Sequence, residues 1–206
     1  MKPSTTARRL AALAAGLAIA LASNAQADSW SESYRLEALG RYAEAQAQIA
    51  TLSNRQPAHE FAVIRAAWLT YLQGRYPEAE SLYQRALSVN PRSLEASLGV
   101  MLPQMAQYRW ADAVKAGRKV LSDSPWDYTA HVRIMICEEA MSRWDDLARH
   151  AGEVSSRYPT DATILVYWAR AESALRNVRK ARELYTQVTE RVPGHAEAGK
   201  YLKATQ

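Results

Sequence analysis

The sequence predicts an all-α solenoid of about five helix-turn-helix units with a capping helix behind them. The first observation is a period. Prolines recur at Pro57, Pro91, Pro125, Pro159 and Pro193, each 34 residues after the last. The second is that three further columns keep the same register. Ala45, Ala79, Ala113, Leu147 and Ala181 stand twelve residues before the prolines. Tyr42, Tyr76, Trp110, Trp144 and Val178 stand fifteen before, and Arg41, Arg75, Arg109, Arg143 and Asn177 sixteen before. A fixed period of this size is the mark of stacked helical units. The third is length. Five such units fill nearly all of residues 28–206, leaving no room for a second ordinary domain.

The stretch Tyr71 to Pro91 reads YLQGRYPEAESLYQRALSVNP. Its Gly74, Tyr76, Ala79, Tyr83, Ala86 and Pro91 resemble the tetratricopeptide repeat, and the likeness covers about residues 29–206. The first two units match best. In the third and fourth, Tyr108 and Ser142 stand for the turn glycine, and Gly117 and Ala151 for the large residue of the second helix. In the fifth, Arg176 replaces the glycine and Tyr185 restores the large residue. The resemblance implies antiparallel helix pairs and action by binding rather than by catalysis.

Each unit is expected to hold two helices. With units at about 28–57, 58–91, 92–125, 126–159 and 160–193, the pairs fall at 29–39 and 43–55, 59–73 and 77–89, 93–107 and 111–123, 127–141 and 145–157, 161–175 and 179–191. The alanine column lets paired axes approach to the close end of about 8–10 Å. The aromatic column plugs each turn. Each proline ends a second helix, because it lacks an N–H and drives the preceding residue away from helical geometry. Pro77 suits a first helical turn, and Asp145 and Asp146 suit a positive helix start. Pro103 falls inside a first helix, where proline costs about 3 kcal/mol, so a kink or break is expected. The capping helix, 195–204, carries Glu197, Lys200 and Lys203 toward water.

Residues 1–27 read as a secretory signal peptide. Lys2, Arg8 and Arg9 form a basic start, Leu10 to Leu21 is apolar throughout, and Ala25-Gln26-Ala27 supplies small residues for cleavage after Ala27. The apolar run is shorter than the roughly 20 residues a spanning helix needs. Arg8-Arg9 matches a twin-arginine signal poorly, so the general secretory route and a periplasmic location are expected. The whole chain carries +5, but the leader holds three of its basic residues and no acidic one, leaving +2 on residues 28–206. That balance does not suggest a nucleic-acid partner.

By the resemblance, first helices line a concave groove. The positions expected there are Trp30 and Tyr34; Phe61, Ile64, Arg65, Trp68, Tyr71 and Leu72; Leu98, Leu102 and Met105; Val132, Arg133, Ile136 and Glu139; Val166, Tyr167 and Arg170. Tyr71, Leu98 and Val132 are alternatively core. Aromatics and arginine dominate interface energetics, so Phe61, Trp68 and Tyr71 are the expected anchors and the arginines the orienting groups; the alternative is that the three aromatics only pack between units or against the N-terminal helix. Some repeats of this family clamp a C-terminal carboxylate. The matching positions hold Trp30, Tyr34, Arg65, Glu95 and Gly99, of which only Arg65 has suitable chemistry. The turn arginines are expected to lay their stems on the neighbouring aromatics with the charge in water. The alternative is a basic strip facing an acidic polymer.

No catalytic constellation is expected, and no metal or cofactor. His59, His131, His150 and His195 read as lying in four different units or turns. Cys137 is the only cysteine and reads as a small buried hydrophobe, with a disulfide dimer as the alternative. Glu138-Glu139 and Asp145-Asp146 read as solvated faces. The expected function is a non-catalytic periplasmic scaffold that holds a partner protein or peptide in a cell-envelope assembly such as outer-membrane biogenesis, secretion or pilus machinery. The alternative is a subunit of exopolysaccharide synthesis and export that contacts an acidic glycan. A homo-oligomer is compatible with either.

Overall fold

A computed structural model describes residues 28–54 and 59–205. The expected leader, its cleavage site and Pro57 lie outside the described residues. Among the described residues every regular element is a helix. α1 occupies residues 28–38. α2 is Tyr42–Gln48, α3 Ala50–Ser53, α4 Glu60–Leu72, α5 Tyr76–Val89, α6 Leu94–Ala106 and α7 Trp110–Asp123. α8 is Tyr128–Ala140, α9 Trp144–Arg157, α10 Ala162–Ala174, α11 Val178–Arg191 and α12 Ala196–Ala204. The first helices α4, α6, α8 and α10 each have 13 residues, and the second helices α5, α7, α9 and α11 each have 14.

The repeat is a repeat of turns. Residues 40, 74, 108, 142 and 176 all have positive φ, between 55° and 76°: Gly40, Gly74, Tyr108, Ser142 and Arg176. At each, two backbone bonds close the helix end. Arg75 N donates to Thr70 O and Gly74 N to Tyr71 O. Arg143 N donates to Glu138 O and Ser142 N to Glu139 O, and the other three turns repeat the pattern. This is the Schellman motif, which satisfies carbonyls the helix leaves open. The turn geometry therefore survives the loss of glycine.

A second column ends each unit. Asn90, Ser124, Tyr158 and Val192 leave the helical region before their prolines, as a residue preceding proline must. Ser124, Tyr158 and Val192 then accept from the backbone N–H three residues on, closing a turn with proline in its second position. That turn delivers a side-chain cap. His59, Ser93, Asp127, Asp161 and His195 each accept from the backbone N–H three residues later. Such a cap contributes about 1 kcal/mol for Ser or Asp. The capping column was readable in the sequence as a polar residue just before each first helix.

The described residues divide into two units, one ending at Pro91 and the other beginning at Arg92. In the first, Leu36, Ala45, Ile49, Ala66 and Leu69 form a core on which Trp30, Tyr42, Leu52 and Leu82 pack. Its second helix differs from the expected 43–55. It breaks at Ile49, whose N–H bonds only three residues back, to Gln46 O. The segment buries Ala45, Ile49 and Ser53. In the second unit three cores follow one another. Met101, Val114, Ile134 and Cys137 make the first, Met135, Leu147, Val154 and Ile164 the second, and Leu165, Leu184, Tyr185 and Val188 the third. The alanine column, Leu147 included, is fully buried.

Pro103 does not break α6, which runs through it. The N–H it lacks would have bonded Gly99 O. One residue away, Arg133 on α8 donates from Nη1 to Leu98 O at 2.6 Å, adding a donor beside the disturbed turn.

Candidate functional site

In the first unit the expected anchors meet around one carboxylate. Glu37 on α1 receives both the Arg65 guanidinium, in an ion pair, and the Trp68 indole N–H, at 2.6 Å. Arg65 also donates to Ser33 Oγ at 3.3 Å, and its guanidinium lies 3.9 Å from the centre of the Tyr34 ring. It is only 5 % exposed. Arg65 is thus an internal strut between α1 and α4, not the exposed orienting group the sequence suggested, and it is not placed to clamp a partner's carboxylate. Ile64 is buried as well.

Two of the expected groove aromatics in this unit face outward. Tyr34 and Phe61 are exposed, Phe61 at 41 %. Trp30 lies against Phe61 with ring centres 5.1 Å apart. Half-buried Trp68 stacks on Tyr71 at 5.6 Å, and Tyr71 meets Tyr76 at 5.6 Å. Such pairs are worth about 0.5–1.5 kcal/mol beyond the area they bury.

In the second unit Leu102 and Met105 on α6, Arg133 and Ile136 on α8, and Tyr167 and Arg170 on α10 are all half-buried. Leu98 and Met105 rest on the core that contains Met101, and Val132 on the one that contains Met135; Val166 is core. Arg170 is committed. It makes a two-pronged pair with Glu197 of α12, at 2.8 and 2.6 Å, and reaches Glu139 at 3.2 Å. Tyr185 donates to the same Glu197 at 2.7 Å. Arg170 holds the Glu197 carboxyl below its ordinary range, against the opposing effect of burial, and Tyr185 helps. Burial first, then Glu197, pushes the Tyr185 phenol up. Glu197 is therefore not the water-facing residue expected of the capping helix. Tyr167 and Arg170 also wall a hollow of about 270 Å³ with Thr163, Val166 and His195.

No family model matches the chain, and no curated protein matches it by sequence. Solved structures do match. MamA 41-end from Desulfovibrio magneticus RS-1 is 13 % identical with a TM-score of 0.72, over 84 % of this chain and 97 % of that one. YrrB, described as a TPR protein with an unusual peptide-binding site, is 15 % identical with a TM-score of 0.68, over 85 % and 90 %. TTC0263, a TPR protein of Thermus thermophilus, is 15 % identical with a TM-score of 0.62, over 87 % and 98 %. The fold is that of the tetratricopeptide repeat.

The tetratricopeptide turns carry the arginine column, and four of its guanidinium groups have acidic partners. Arg41, Arg75, Arg109 and Arg143 each pair with the acid three residues on, Glu44, Glu78, Asp112 and Asp146. In the fifth repeat Asn177 donates to Glu172 instead. These exposed pairs are worth little each, but they place an anion in the first turn of α2, α5, α7 and α9, where the helix dipole favours it. The spacing R-x-x-[DE] was visible in the sequence and points to this pairing. It leaves no bare basic strip at the turns.

Two further readings are corrected. His131 and His150 share the fourth repeat and touch. His131 Nδ1 lies 2.9 Å from His150 Nε2, His131 Nε2 lies 2.9 Å from Pro125 O, and His150 Nδ1 lies 2.9 Å from Glu138 Oε2. Glu138 is 3 % exposed, not on a solvated face, and Glu139 and Asp146 hold arginines. The two histidines lie 19 positions apart, on facing helices, a spacing that matches no local motif. Cys137 is fully buried, and burial pushes its thiol up to about 12, so it is not placed for a disulfide dimer. Among the described residues no group of His, Cys, Asp or Glu suits a metal ion, and no helix is long and apolar enough to cross a membrane.

Proposed function

We propose that this chain is a non-catalytic scaffold that holds a partner protein or peptide on the faces of its first helices. The observation that carries the reading is the aromatic face of the first unit. Trp30 meets Phe61, Trp68 stacks on Tyr71, and Arg65, whose guanidinium lies over the Tyr34 ring, is already neutralised by Glu37. Exposed apolar surface rimmed by polar groups marks interaction sites. YrrB, which shares the fold, is described as having a peptide-binding site. The partner sits in a cell-envelope assembly, and the chain reaches it by export to the periplasm with cleavage after Ala27. The support for that location is the leader pattern of Lys2 to Ala27 alone. An acidic glycan is the weaker ligand, because Arg65, Arg170 and the turn arginines hold carboxylates of their own.

The test is photocrosslinking in cells. A photoreactive residue is placed at Phe61, at Met105, or at Lys119 on a second helix as control. One discrete adduct from position 61 or 105, lost when Tyr34 and Tyr71 are changed to alanine in a chain of unchanged helicity, is expected. Adducts only from position 119 would remove the first-helix face. The mass of the chain recovered from a periplasmic extract reports cleavage after Ala27.

A further inference from the structure

We infer that His131, His150 and Glu138 form a proton-dependent latch between α8 and α9, closed only while the three groups share three protons. The count follows from the hydrogen bonds. Pro125 O can only accept, so His131 Nε2 carries a proton. With His131 neutral, its Nδ1 accepts from the Nε2–H of His150. The remaining contact, His150 Nδ1 to Glu138 Oε2, closes only with a proton between them. His131 is the neutral ring, because burial disfavours its charged form, and an imidazole is a stronger base than a carboxylate, so the closed latch is a neutral imidazole donating outward to Pro125 O and an imidazolium–carboxylate pair, with no net charge.

Both directions of titration disrupt it. Losing the third proton sets a bare ring nitrogen against a carboxylate in a buried site, where an unpaired polar contact is costly. A fourth proton either brings two N–H groups face to face or goes to the far carboxyl oxygen and leaves a half-buried imidazolium without its counter-charge. The surroundings favour the neutral form of His131. Burial is the main cause that lowers its pKa and His150 acts the same way, while the Pro125 bond, Glu153 and Asp127 oppose them. Since the folded value lies below the ordinary 6.5, this contribution is present above that value and is lost as pH falls. The Trp126 ring lies 6.0 Å from His131. The Cys137 thiol beside Glu138 stays neutral, and Arg143, which starts α9, gives its guanidinium to Asp146 and its backbone N–H to Glu138 O. α8 also carries Arg133 and Ile136, so an open latch loosens one of the faces assigned above to a partner. That consequence rests on the scaffold reading, whereas the latch does not.

The test needs no partner. Nitrogen NMR of the histidines in the full chain near neutral pH reads the protons directly. His131 is expected with Nε2 protonated and Nδ1 bare, and His150 with both nitrogens protonated. A bare nitrogen on His150 overturns the latch. The second readout is the melting temperature of wild type and Glu138→Gln between about pH 5 and about pH 9. The substituted amide donates to His150 Nδ1 and closes the chain with two neutral rings. Wild type is therefore expected to lose melting temperature relative to the variant as pH rises above neutral, while both lose it in acid. A gap that stays flat over the alkaline arm overturns the proton count. Should the variant not fold, the ring nitrogens of the wild type still decide.

Discussion

The two units reach the same repeat from opposite sequences. The first has glycine at both left-handed turns, Gly40 and Gly74, and a tyrosine, Tyr83, in the second helix of its second repeat. Yet the second helix of its first repeat is broken at Ile49. The second unit has Tyr108, Ser142 and Arg176 at the turns and Gly117 and Ala151 in place of the large residue, and its α7, α9 and α11 each run 14 residues without a break. Motif residues are thus one local solution among several. What the backbone requires is a left-handed residue and a filled crossing, and other atoms can supply both. Over Gly117 the space is taken by Ile134 and Met101, each within 2.8 Å of where a Cβ would stand. Alanine, glutamine and serine make up most of α2 and α3.

The units also differ in how they hold their central arginine, which gives the largest expected effect. Arg65 is buried and Arg170 is about a third exposed. Removing one partner of a buried pair leaves a charge without compensation, at roughly 3 kcal/mol, whereas an exposed pair contributes at most about 1 kcal/mol. Glu37→Gln is therefore expected to cost about 3 kcal/mol and Glu139→Gln less than about 1 kcal/mol by urea unfolding of the full chain. Equal losses would mean that neither burial nor the Glu197 carboxylate that Arg170 keeps separates the two sites. The next effect is Gly117→Ala. Alanine is the better helix former by about 1 kcal/mol, but its methyl would overlap the stiff Ile134 side chain, and overpacking costs about 1–3 kcal/mol. A net loss near 1 kcal/mol is expected, and a gain would show that the crossing has room.

The period, the helix pairs and the core columns were all legible, because each depends on residues at fixed spacing: the prolines, the alanines, the turn aromatics. Helix ends came within one or two residues except at Ile49, where no proline or glycine marks the interruption. The candidate site was legible only in part. The sequence placed Phe61, Trp68 and Tyr71 together, but it read Arg65 and Arg170 as outward-facing. Their partners, Glu37, Glu139 and Glu197, lie 27 to 31 positions away, and only the stacking of repeats brings them near. The same limit hid His131 from His150, which face each other across a helix pair rather than along one helix.

The smallest effects sharpen the comparison at the turns themselves. A non-glycine residue in the left-handed region carries about 1–2 kcal/mol of strain, and a glycine placed there gives back about 0.4–1 kcal/mol through the freedom of its unfolded chain. Gly74→Ala is accordingly expected to destabilise by about 1 kcal/mol. The reverse exchanges need not be equal. Ser142 is exposed, so Ser142→Gly is expected to stabilise by about 0.5 kcal/mol. Tyr108 is 79 % exposed, but its ring meets Trp110 edge-on at 5.7 Å, a contact worth about 0.5 kcal/mol or more. Tyr108→Gly loses that contact together with the strain, so its net effect is expected near zero. The measurement is the difference between the two melting temperatures in one buffer. A higher value for Ser142→Gly supports compensation by the ring, and equal gains would show that Tyr108 is carried at the turn as strain alone.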